Sequence, residues 1–428
     1  MNEQIAALWR IEAPRLIGAL ARKLRDLGEA EDLAQDALEQ ALRVWPLQGL
    51  PDNPAAWLMA VAQRRAIDRL RARKRHADQE EAFARELETL GLDRVPPPQQ
   101  REEIEDDQLR LIFTACHPLL APEARAALAL KVLAGLSNAE IARAFLAQEA
   151  AIAQRILRAK RLLAEARVPF ELPRLEERHA RLDSVLEVIY LIFNEGHAAT
   201  AGPDWMRPAL CEEALRLVRQ LLALMPDEDE VLGLAALLEL NAARLPARLD
   251  GQHRPVLLLA QDRRRWDRGA IRRGTEHLAR VRQPGPYSLQ ARIAAVHARA
   301  LRAEDTDWIA IVSLYEGLSR LAPSPVVALN QAVAIGMARG PGHGPEVALR
   351  LLDAMAGEKL LQGYPWLHSA RGDMLERLGR YPEAREAVAR ARDMSRNAAE
   401  RQLLDEWASS LASAASANIV CIRAKKRS

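Results

Sequence analysis

A row of long hydrogen-bond donors, Gln154, Arg158 and Arg161 with Arg155 at its edge, recurs at helical spacing near the middle of the chain. Amide and guanidinium groups on one helix face can reach phosphate oxygens and base edges in a major groove. Ile152, Ile156, Ala159 and Leu163 recur on the other side and predict an inward face. Upstream, Ser137 and Glu140 have the spacing of a capping box that starts a shorter helix, with Ile141 and Phe145 one turn apart. Gly135 to Ala166 thus reads as two helices joined by a tight turn at Leu146-Ala147-Gln148, which lacks the glycine often found there. Any basic amphipathic hairpin shares this pattern; the long donors add nucleic acid as a partner.

Two further stretches carry side chains suited to recognition. Arg64, Arg65, Arg69, Arg71, Arg73, Lys74 and Arg75 put seven positive charges into twelve residues against Asp68 alone, with Trp57 at the head of the same helical pattern. Cations can hold phosphates while an aromatic ring stacks on unpaired bases; alternatively Trp57 is core and the arginines a solvated face. Before it, in AEDLAQDALEQALRVW, Asp32, Gln35, Asp36 and Glu39 fall opposite Ala37, Ala41, Val44 and Trp45. That acidic face is either simply solvated or a dock for a basic partner.

Covalent chemistry has little to stand on. Cys116, Cys211 and Cys421 are far apart, and Cys116-His117 has no further ligands nearby, so neither zinc nor a disulfide framework is expected. Asn194-Glu195-Gly196-His197 contains an acid and a base, but a helix-ending turn with a packed histidine accounts for it. No nucleophile-base pair, phosphate loop or metal cluster appears, so no enzyme and no cofactor is expected. The basic DRRRWDRGAIRRG at 262–274 reads as a solvated helix face or an internal contact with acidic neighbours.

These residues need helices to position them, and the composition supplies them. Leu and Ala dominate, aromatics are 4% and β-branched runs are scarce, which predicts an all-α protein. With 428 residues the chain has room for several domains, and a net charge of only +3 confines any nucleic-acid surface to local clusters. No apolar run reaches membrane-spanning length, VLGLAALL being cut off by Glu239, and MNEQIAALWRIE does not read as a signal peptide; a cytoplasmic location is expected. The segments read as a helical module at 1–75, an acidic, Pro-containing linker at 76–106, a helix-turn-helix module at 107–167, a long helical region at 168–411, and a disordered tail at 412–428.

AEDLAQDALEQALRVW, PAAWLMAVAQRRAIDRLRARKR and LSNAEIARAFLAQEAAIAQRILRAKRLL, in that order, resemble the extracytoplasmic-function class of bacterial RNA polymerase sigma factors. The resemblance covers residues 1–167. It implies that Asp32, Gln35, Asp36 and Glu39 dock on the β′ clamp helices of core polymerase. Arg64, Arg65, Arg69 and Arg71, with Trp57, would hold the melted −10 element. Gln154, Arg158 and Arg161 would read the −35 duplex, with Arg155 and Lys160 on phosphate. The partners implied are core polymerase, through its β and β′ subunits, and promoter DNA. The linker would follow the nascent-RNA path.

The rest of the chain needs its own account. In PWLHSARGDMLERLGRYPEAREAVARARDM, residues 365–394, Ala370, Leu378, Gly379, Tyr381, Ala384 and Ala391 resemble the tetratricopeptide pattern, with a turn at Gly379-Arg380. Residues 209–240 and 324–340 echo it. Stacked helix pairs of this kind present a concave surface to a protein or peptide, or else simply pack on the preceding modules. EVIYLIFNEGHAAT at 187–200 resembles the signature of a sigma subgroup with such an extension, departing from it at His197, where that subgroup more often has an aromatic. The helical region is expected to regulate or support the preceding modules in cis. The rival readings are a helix-turn-helix regulator independent of polymerase and a tetratricopeptide scaffold.

Overall fold

The computed structural model describes residues 2–74, 101–145, 147–199, 204–358 and 361–425. They are helical throughout, with one isolated bridge between Leu249 and Pro255 and no strand among the described residues. The chain forms two compact units, Met1–Ile192 and Phe193–Ser428.

The first unit opens with α1 (Asn2–Leu24), α2 (Leu27–Gln48) and α3 (Pro54–Lys74). Asp26 caps α2, accepting from the Glu29 amide at 2.9 Å, and Gly49, at φ +85°, ends it. Asn53 accepts from the Ala56 amide at 3.0 Å and so starts α3. Leu20, Leu33, Ala37, Ala41, Trp45 and Leu58 form the core between these helices. The second group is α4 (Arg101–Ala115), α5 (Pro122–Val132), α6 (Asn138–Ala144) and α7 (Glu149–Glu165). Helix α4 begins at Arg101, so the end of the segment expected as linker is helical; the remainder of that linker lies outside the described residues.

The unit also extends past the boundary expected at 167. Helix α8 (Leu175–His197) begins inside it and is tied down by polar contacts to α4 and α5. Ser184 accepts at its carbonyl from the Cys116 thiol (3.6 Å) and at its hydroxyl from Arg125, while Arg181 donates to the Phe113 carbonyl at 3.3 Å.

From Phe193 on, the second unit continues through α9 (Pro208–Leu224), α10 (Asp229–Ala242), α11 (Arg268–Arg280), α12 (Pro286–Arg299), α13 (Trp308–Leu321), α14 (Pro325–Met337), α15 (Pro345–Ala354), α16 (Pro365–Arg377), α17 (Tyr381–Met394) and α18 (Ala398–Lys425). Successive helices pack on one another, and small residues set the closeness. A Cβ on Gly336 would lie 2.3 Å from the Met374 sulfur, so α14 and α16 touch there only because the side chain is absent. Ala384 and Ala391 are fully buried against Leu367, Leu375 and Leu404, and Gly379, at φ +71°, makes the α16–α17 turn, as the repeat pattern predicts.

One buried carboxylate crosses three helices. Glu239 on α10 is 1% exposed and takes both guanidinium nitrogens of Arg219 (α9) at 3.0 and 2.6 Å and of Arg273 (α11) at 3.1 and 2.8 Å. Buried Asn397 donates to the carbonyls of Ala199 (3.0 Å) and Asp204 (2.7 Å), tying the start of α18 to the beginning of the unit. Helix α18 runs from Ala398 to Lys425 through an alanine- and serine-rich stretch without proline or glycine to break it.

Candidate nucleic-acid interface

Helix α7 divides as its periodicity demands. Ile152, Ile156, Ala159 and Leu163 are buried, while Gln154, Arg158 and Arg161 are exposed and Arg155 is half-buried. Its approach is set by the capping box ahead of α6: Ser137 Oγ accepts from the Glu140 amide at 3.2 Å, and Glu140 Oε2 accepts from the Ser137 amide at 2.9 Å. Gln154, Arg155 and Arg158 overhang a groove of about 490 Å³ floored by Leu119, Ala124 and Leu162. Gln154 and Arg158 thus stand open to solvent beside an apolar groove.

Lys160 departs from the expectation. It is turned away from the donor row, only 11% exposed, and its ammonium bonds to Glu31 Oε2 and, at 2.9 Å, to Asp32 Oδ1, both on α2. The correction has a simple cause: Lys160 lies four residues after buried Ile156, so it shares the inward face. Burial opposes its charge, but Glu31 and Asp32 outweigh that and raise its pKa above the usual lysine value. Lys131 at the end of α5 stands 4.0 Å from the same Glu31, and burial lowers its pKa. The lysine stem rests on Gly28, where an added Cβ would be 3.4 Å from Lys160 Cβ.

A second buried carboxylate repeats the arrangement. Asp107 on α4 bonds Arg22 of α1 at 3.2 Å and Arg110 at 2.8 Å. The α1–α3 group and the α4–α7 group are thus held together at two charged nodes. Beside them lies a cleft of about 760 Å³, lined in part by Arg22, Asp26, Gly28, Lys160 and Phe170.

The acidic residues expected to act as one face are individually engaged. Asp36 bonds Arg69 of α3 at 2.6 Å, Glu39 pairs with Arg43, Asp32 holds Lys160 while 57% exposed, and Gln35 is half-buried. On α3, Arg64 and Arg65 are exposed, Arg65 donating to Gln40 at 3.3 Å. Arg71 lies on the same helix, with its side chain outside the described residues. Trp57 is half-buried, its ring 5.2 Å from that of Trp45 at 61°, an edge-to-face contact that leaves part of it open. It serves the core and keeps a free surface at once.

Other residues singled out by their chemistry are packed among the helices. Cys116 is buried, which pushes its thiol up to about 12. His197 ends α8, stacked on Phe193 with ring centroids 5.7 Å apart, and Glu195 is buried 3.4 Å from Arg207. The nodes at Glu31, Asp107 and Glu239 do not show in sequence motifs, because each pairs residues on different helices; an acid inside an apolar run, as at Glu239, is the one signal that could have flagged them. No helix among the described residues is long and apolar enough to cross a membrane.

Comparison with known proteins follows the same layout. A sigma-70 region 2 model matches residues 8–76, a sigma-70 region 4 model matches 110–163, and a family of unknown function, DUF6596, matches 181–282. An uncharacterised protein of Rhizobium meliloti is 45% identical over 416 residues, covering 94% of this chain and 95% of that protein. The ECF RNA polymerase sigma factor SigK of Mycobacterium ulcerans is 30% identical over 144 residues, 33% of this chain and 73% of that protein. A probable ECF RNA polymerase sigma factor, SigI of Mycobacterium tuberculosis, is 25% identical over 199 residues, 44% of this chain and 68% of that protein. No solved structure matches the chain. With both modules matched in order and a SigK relative covered over most of its length, the chain belongs to the extracytoplasmic-function sigma factors of the sigma-70 family, extended by a long helical region that carries the DUF6596 match.

Proposed function

We propose that this chain binds core RNA polymerase and carries it to promoters, with the second unit regulating it in cis. The reading rests chiefly on α7: Gln154, Arg158 and Arg161 stand exposed above a buried Ile152/Ile156/Ala159/Leu163 stripe. That is the geometry of a helix presenting donors to a major groove. Exposed Arg64 and Arg65 with partly open Trp57 suit phosphates and unstacked bases of the −10 element, and exposed Asp32 and Glu39 suit a basic docking surface on the polymerase.

The reading also requires movement. Two DNA elements about 25 base pairs apart are separated by roughly 85 Å along B-DNA at about 3.4 Å per pair. Modules clasped through Glu31 and Asp107 cannot reach both, so promoter engagement opens these contacts. A buried ion pair suits an interface that must separate, since water recovers both charges when it opens.

Run-off transcription on fragmented genomic DNA with bacterial core polymerase tests the reading. Discrete transcripts that depend on the protein are expected, and their pattern or strength changes when the chain is cut after Ile192. Equal transcription from both forms across conditions removes the cis-regulatory part. Protection of duplex DNA without any protein-dependent transcript replaces the reading with that of a polymerase-independent regulator.

A further inference from the structure

The connection between α10 and α11, residues 243–267, brings three arginines into the second unit without a salt-bridged carboxylate: Arg244, Arg248 and Arg263. Arg248 and Arg263 are almost wholly buried, while Arg244 keeps a partial opening to solvent. Burial, and then Arg248 and Arg263 beside it, holds Arg244 down at about 9. Burial holds Arg248 at about 10. His297 falls to about 3 through burial and then the charges of Arg244 and Arg263; His197 is lowered by burial and then by Arg248 and Arg244. Arg244 thus feels the charges of Arg248 and Arg263, and its own charge reaches both imidazoles.

Two of the arginines have partial compensation. Arg248 donates to the His197 carbonyl at 2.9 Å and to the Met206 sulfur at 3.3 Å, and lies 5.5 Å over the Trp205 ring. Arg263 donates to the carbonyls of His297 (2.7 Å) and Ala300 (2.9 Å) and to Thr306 Oγ1 (3.1 Å), lies 5.1 Å over Trp266, and feels Asp305 and Glu304. Those carbonyls end α8 and α12, where a helix carries about half a negative charge. Arg244 has no such partner: it donates to Asn241 Oδ1 at 2.6 Å, and its Nε bonds to nothing. Arg263 Nε and the indole nitrogens of Trp205 and Trp266 are likewise buried without an acceptor, and His197 Nε2 is buried without a partner. By contrast Glu239, Asp107 and Glu31 each meet two cations.

A guanidinium whose Nε is buried without an acceptor is costly, and the missing partner here is an acceptor with negative charge. We propose that Arg244, with Arg248 and the surrounding unpaired donors, is a binding site for a small oxyanion group, phosphate or carboxylate, reached through the opening at Arg244. The proposal concerns Phe193–Ser428 alone and stands apart from the sigma reading of the first unit.

Thermal unfolding of the full chain at pH 7, in sodium phosphate, sodium acetate and sodium chloride of equal ionic strength, tests it. Phosphate or acetate is expected to raise the unfolding midpoint by several degrees over chloride, as binding to the folded state alone must. A response to phosphate alone identifies a phosphoryl source, and a response to acetate a carboxylate source. Arg244→Met is expected to abolish the difference and to melt no lower than the parent in chloride, because it removes an unmatched charge. Identical midpoints in the three salts overturn the proposal. So does an anion response that survives Arg244→Met, or an Arg244→Met variant that melts well below the parent in chloride.

Discussion

The ammonium of Lys160 and the carboxylate of Asp32 are 128 residues apart in sequence and 2.9 Å apart in space. Glu31 shares the same lysine, so the helix that carries the exposed donor row is latched to the helix that carries the acidic residues. One lysine distinguishes the two sides of α7, and the distinction can be measured.

Each cation that neutralises a phosphate contributes about 0.9 to the slope of log affinity against log salt on duplex DNA. Arg155→Ala is expected to reduce that slope by about this amount, and Arg158→Ala to weaken promoter discrimination by about 1–3 kcal/mol where the arginine meets a base. Lys160→Met is expected to leave the slope unchanged. An equal loss of slope in Lys160→Met would place the lysine on phosphate after all.

The latch itself has a charge-reversal test. Glu31→Lys brings a third cation between Lys131 and Lys160, and the α1–α3 and α4–α7 groups should separate. Fluorophores placed at exposed Asp52 and Ser137, in a background lacking Cys421, report the distance. A longer, broader distribution is expected in the single variant and a return toward the parent in Glu31→Lys/Lys160→Glu. If the double variant stays open, the pair does not hold the groups together.

Local pattern carried the first unit a long way. The inward stripe of α7, the Ser137–Glu140 box and the buried Trp45 all follow from spacing within a single helix, and each is found as expected. Spacing also held the answer for Lys160, four residues after Ile156, but the motif placed it with the arginines. What local pattern cannot contain is pairing across the chain. Asp36 with Arg69, Asp107 with Arg22, and Asn397 with Ala199 join residues whose proximity only the packed helices create. The repeat signature at 365–394 correctly marked where helices cross, because small residues and a positive-φ glycine are local requirements.

Glu239 shows how much one such pairing matters. Glu239→Gln removes the charge that two guanidiniums share, leaving Arg219 and Arg273 with a neutral acceptor. Both arginines are about half exposed, so water recovers part of the loss. The expected cost is about 1–3 kcal/mol, in line with hydrogen bonds to charged groups, read as a lower urea midpoint for the second unit. A change below about 0.5 kcal/mol would mean the three-helix junction does not depend on the charge.

Acid should act on the same unit through its buried imidazoles. His297 lies edge-on to Trp308 at 5.2 Å, and burial, followed by the charges of Arg244 and Arg263, holds its pKa at about 3. A group whose folded pKa is depressed contributes stability that is fully present above its unfolded value, 6.5 here, and is lost as pH falls through the folded one. His197, lowered for the same reasons, adds in the same direction. The second unit is therefore expected to lose stability progressively as pH drops from about 6.5 toward 3. His297→Phe should flatten that dependence, because a ring that cannot take a proton removes the linkage while keeping the contact with Trp308. Unfolding midpoints measured from pH 7 to pH 4 that fall equally in parent and variant would assign the acid loss to carboxylates such as Asp229, held low by the Arg282 amide, instead.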